Sequence, residues 1–148
     1  MKKLIKIILC ITVALTLCAC GKKSALTKKD AKKIFENNSF IIYDLTDQME
    51  DSSIESIFSA NNGKFQVEFI VYKNESDAQK LYESNIKTFE SSSKTKGNKV
   101  NEKTYSKYVQ KLTDTYNVVE KVGNTVIYVS ADIEYKNDVK DIIKKLGY

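Results

Sequence analysis

The stretch Phe65-Gln66-Val67-Glu68-Phe69-Ile70-Val71-Tyr72 alternates without a break. Phe65, Val67, Phe69 and Val71 fall on one side, and Gln66, Glu68, Ile70 and Tyr72 on the other. A period of two belongs to a strand and rules out a helix. Asn61-Asn62-Gly63 stands just before it. Those residues tolerate the positive φ that a tight hairpin turn requires. Residues 54–60 and 64–73 therefore read as the two arms of a hairpin. A chain with this hairpin at its centre cannot be all-helical. The alternation predicts a sheet with one buried face and one largely solvated face.

Further elements follow from similar signals. Residues 40–45 are apolar and partly β-branched, and read as a strand. Residues 105–112, 116–122 and 125–131 read as a meander, with Gly123-Asn124 as a two-residue turn. Three helices are expected. Thr27, with Asp30 three residues on, caps a helix over 28–38 carrying Ala31, Ile34 and Phe35. Ser76-Asp77-Ala78-Gln79 opens a second as an S-x-x-Q box, running to about residue 91 with Ala78, Leu81, Tyr82, Ile86 and Phe89 on its stripe. Residues 134–146 form a third, with Tyr135, Val139, Ile142, Ile143 and Leu146 on one side and Gly147 as its stop. The polar stretch 92–103 reads as a flexible connection. Strand, strand, strand, helix thus occurs twice, and an offset of 61 places Ala78 on Val139 and Leu81 on Ile142. The expected fold is a single α+β domain over 27–148. It comprises an N-terminal helix and then two βββα-like halves, with an antiparallel sheet and helices on one face.

The N-terminal segment has a different character. Lys2, Lys3 and Lys6 precede 13 uncharged residues, Ile7 to Ala19. A helix crossing the hydrocarbon core needs roughly 20 apolar residues, so this run has the length of a secretory signal and not of an anchor. At its end, Leu17-Cys18-Ala19-Cys20 resembles the lipobox of bacterial lipoproteins. The resemblance implies cleavage between Ala19 and Cys20, a diacylglycerol thioether on Cys20, and an acylated new N-terminus. Residues 1–19 are then the signal peptide and 20–26 the lipidated cysteine with a short tether. In size and pattern the whole chain resembles small lipoproteins of Gram-positive bacteria. Lysine without arginine, with much Asn and Ile, fits an AT-rich genome. The implied location is the extracytoplasmic face of the cell membrane, with membrane lipid as the partner of acylated Cys20.

Cleavage there would change the chemistry of what is left. All three cysteines lie at or before Cys20, so the domain has neither a free thiol nor a disulfide. Three of the 24 lysines leave with the signal while all 19 acids stay, so the net charge falls from +5 to +2. A mixed Lys/acid surface lacking arginine does not suit nucleic acid. With no histidine, Ser-His-Asp and Cys-His machinery is excluded. No motif calls for a cofactor. Asp44, Asp47, Glu50 and Asp51 lie close together but lack the spacing and glycine of an EF-hand, so no metal site is expected.

What remains is binding. Tyr72 falls on the open sheet face in this phase, and Tyr108, Tyr116 and Tyr128 are candidates to join it, beside Gln66 and Gln110. Tyrosine offers apolar area with a polar tip, which suits a protein or cell-wall partner. The expected function is a membrane-anchored lipoprotein whose domain binds a protein partner or envelope component. The alternative is an envelope hydrolase using only carboxylates, Ser or Lys. A third reading is an accessory subunit of a membrane complex, with Lys22, Lys23, Lys28, Lys29, Lys32 and Lys33 docked on anionic lipid.

Overall fold

A computed structural model describes residues 23–148, and Ala19 and Cys20 lie outside the described residues. Among the described residues seven strands form one sheet: β1 (Ile41–Asp44), β2 (Ile54–Asn61), β3 (Gln66–Tyr72), β4 (Asn98–Asn101), β5 (Tyr105–Lys111), β6 (Thr115–Val122) and β7 (Thr125–Asp132). Their spatial order is β1-β2-β3-β7-β6-β5-β4, and every neighbouring pair is antiparallel. Among the described residues three α-helices flank the sheet: α1 (Lys28–Glu36), α2 (Glu75–Ser93) and α3 (Lys136–Lys145). This is an α+β architecture on an antiparallel sheet, as the alternation and turn signals predict.

The β2–β3 turn is built by its own side chains. Asn61 Oδ1 accepts from the Gly63 amide at 2.7 Å, and Asn62 Oδ1 accepts from Lys64 and Phe65. Gly63 takes φ +81°, a conformation glycine adopts without steric cost. The phase of β3 is the one the alternation predicts. Phe65, Val67, Phe69 and Val71 enter one core, with Phe58, Val118, Ile127 and Val129. Ala31 and Phe35 of α1 and Val139, Ile142 and Ile143 of α3 cover that face.

The other face is not open as a whole, which corrects the expectation of helices on one side. Ile57, Ile70, Tyr72, Tyr108, Val119 and Val126 form a second core under Ala78, Tyr82, Ile86 and Phe89 of α2. Full burial of such side chains contributes about 1.5–3 kcal/mol each, enough to hold a 19-residue helix there. The sequence carries a trace of this. Inward residues of β3 and β7 correspond at an offset of 60, as Val67 with Ile127 and Phe69 with Val129, whereas the helical stripes correspond at 61. One residue of difference along a strand reverses the face, and α2 and α3 lie on opposite faces.

Two further differences concern the connections. The stretch 92–103 contains the edge strand β4, so the second half has four strands before its helix. All four β4 residues are exposed, which removes any apolar alternation, and the strand is held by backbone pairing to β5. The cap of α2 is Asn74, two residues before Ser76: its Oδ1 accepts from the Asp77 amide at 3.0 Å, and Asp77 Oδ2 accepts from Asn74 Nδ2 at 2.8 Å.

Candidate functional site

The four tyrosines singled out in the sequence do not form one open face. Tyr72 and Tyr108 lie buried beneath α2, and Tyr116 is buried on the opposite side in the α1/α3 core. Tyr108 is bonded at its tip, accepting from the Gly97 amide at 2.7 Å and donating to Glu90 Oε1 at 3.2 Å. Gln110 is wholly buried. Its Nε2 lies within hydrogen-bonding distance of Phe89 O, Ser93 Oγ and Thr95 O, among which its two hydrogens are shared, and its Oε1 accepts from Asn117. These residues pin the C-terminal end of α2 to the sheet. Tyr128 alone of the four is half-buried, with Phe89 stacked on it at 5.4 Å.

Tyr128 marks the border of what α2 leaves uncovered. Strand pairing sets Tyr43 against Ser59, Ser59 against Glu68, and Glu68 against Tyr128, one row across β1, β2, β3 and β7. Paired residues of antiparallel strands share a face, so this row continues the face of Ile57 and Ile70 away from α2. Ile41 and Tyr43 are 63% and 54% exposed, Gln66 and Ser130 are exposed, and Glu68 is half-buried. Ser59 is buried at the centre of the row, and its hydroxyl has no hydrogen-bond partner among the described residues. Burial raises the Glu68 carboxyl above its ordinary range. Tyr128 is raised by burial and, secondarily, by the Glu68 charge. Ile41 and Tyr43 were absent from the sequence-based candidates, although their alternation with Ile42 and Asp44 already places them on one side of β1.

A second cluster lies on the α1/α3 side. A cleft of about 170 Å³ is lined by Lys107, Tyr116, Glu120, Lys140, Lys144 and Tyr148, with apolar Val118 and Ile143. Glu120 has none of its surface exposed. Its Oε2 accepts from the Tyr105 hydroxyl at 2.9 Å. Lys107 Nζ stands 2.6 Å from Oε1 as an ion pair, and no other donor reaches that oxygen among the described residues. Burial, then the Glu120 charge and hydrogen bond, push the Tyr105 phenol well above its ordinary value. Tyr148 folds back from the end of α3, its hydroxyl joined to Thr125.

The segment before α1 is attached to the domain and is no free tether as far as it is described. Lys23 Nζ sits 3.7 Å over the Tyr105 ring, Ala25 lies against Gly123, and Leu26 packs on the α1/α3 core. Burial lowers the Lys23 ammonium, with Glu120 opposing. In α1, Thr27 caps the first turn, and Lys28 and Lys32 both reach Asp44 at 2.7 Å. Two of the lysines read as a lipid-docking set are therefore spent on β1, while Lys29 and Lys33 stay exposed. Asp44 is likewise committed, and among the described residues no three acids come together as metal ligands. Among those residues no helix is long and apolar enough to cross a membrane. Comparison of the chain with protein-family models, curated proteins and solved structures finds no match to any of them.

Proposed function

We propose that this chain is a lipoprotein anchored through Cys20 on the extracytoplasmic face of the cell membrane. Its domain binds a protein partner or envelope component through the sheet surface around Tyr43, Glu68 and Tyr128. The anchor rests on Leu17-Cys18-Ala19-Cys20 and the charged and apolar segments before it. The binding role rests on one observation: α2 covers only part of its sheet face and leaves Ile41 and Tyr43 exposed beside the half-buried Glu68 and Tyr128. Exposed aromatic and aliphatic side chains beside a polar rim are the composition of a recognition surface. The experiment is site-specific photo-crosslinking in intact cells, with the probe at position 43 or, as control, at Lys87 on α2. A discrete adduct from position 43 that Glu68→Lys abolishes supports this surface. Equal yields from both positions would remove it. Turnover of an envelope substrate lost in Glu68→Gln would instead favour a hydrolase.

A further inference from the structure

We propose that the cleft over Glu120 holds the phosphate of a membrane phospholipid headgroup, an inference that rests on the lipid anchor at Cys20. Position, charge and size carry it. Lys23 lies on Tyr105, and the Tyr105 hydroxyl is bonded to Glu120 at the base of the cleft. Cys20 precedes Lys23 by three residues, which span at most about 11 Å. An acylated Cys20 would therefore hold this end of the domain at headgroup depth. The charge at the mouth is positive. Lys107 neutralises Glu120, whereas Lys140 and Lys144, one turn apart on α3, have no ion-pair partner among the described residues. At about 170 Å³ the cleft is below the usual 300–1,000 Å³ of small-molecule pockets. It admits a phosphate with a small polar substituent and excludes acyl chains.

The test uses the full lipidated chain in phosphatidylcholine vesicles with a rising fraction of phosphatidylglycerol. Amide hydrogen exchange is followed in β6 and α3. Phosphatidylglycerol should slow exchange in both elements. Lys140→Gln and Lys144→Gln should each raise the fraction needed by about fivefold, the weight of one lysine at an anionic surface. Lys87→Gln should change nothing. Unchanged exchange at every phosphatidylglycerol fraction overturns the proposal. Protection by free glycerol phosphate with none from phosphatidylglycerol overturns the membrane source. Sedimentation with neutral vesicles and a palmitate label are scored on the same samples. A labelled, sedimenting protein without protection sinks the headgroup site alone, and loss of label and sedimentation sinks the anchor and the site together.

Discussion

Lys107 Nζ lies 2.6 Å from the Glu120 carboxylate, which the fold has removed from solvent entirely. The lysine is partly exposed and the acid is not, so the pair is asymmetric. Removing one partner of a buried pair leaves an uncompensated charge, whereas replacing both by apolar groups is often neutral. Lys107→Met should cost about 3 kcal/mol, and adding Glu120→Gln, which removes the charge but keeps an acceptor for the Tyr105 hydroxyl, should recover most of that loss. Urea unfolding of the three proteins reads this directly. Additive losses in the double variant would show that the two side chains act independently.

Gly97 is required for its size. Its φ is not positive, but a Cβ there would meet the Val109 carbonyl and come within 2.6 Å of Tyr108 Cζ. The Gly97 amide also bonds the Tyr108 hydroxyl, at 2.7 Å. Gly97→Ala should destabilise by about 1–3 kcal/mol, the usual cost of overpacking. Tyr108→Phe, which deletes only the bond, should lose about 1 kcal/mol. Thermal melts order the two, and an unchanged melting temperature for Gly97→Ala would contradict the close approach.

Asp44 ties α1 to the edge of the sheet through Lys28 and Lys32, and its carboxyl is held far below the ordinary range by those bonds, Lys28 foremost. A depressed carboxylate contributes stability that is present above the unfolded pKa, about 4, and fades as the pH falls below that towards the folded value. Asp44 is 42% exposed, so solvent screening limits the effect to about 1 kcal/mol. Asp44→Asn should lower stability at pH 7 by that amount, and the gap from wild type should narrow below pH 4 and in high salt. A gap that persists unchanged at pH 2.5 would assign the loss to something other than the charge.

Much of the sheet was legible because its signals are local. The β2–β3 turn, the phase of β3, the Gly123-Asn124 turn and the Gly147 stop each rest on neighbouring residues. The face chosen by α2 was not legible in the same way. Ile70 and Tyr72 are apolar residues on the side where Gln66 and Glu68 are polar, and that change along one strand marks where cover begins. The tyrosines misled for the same reason: Tyr108 and Tyr72 suit a strand whether or not a helix lies above them. The strand β4 left no mark because neither of its faces is buried. The Glu120 cleft joins β5, β6 and α3 with a residue preceding α1, a meeting that no local pattern records.

The anchor is the claim on which the rest depends, and metabolic palmitate labelling with membrane fractionation tests it most directly. Wild type should take up label and sediment with membranes, and Cys20→Ser should lose the label and leave the membrane fraction. Membrane retention of Cys20→Ser with no change in label would contradict the account.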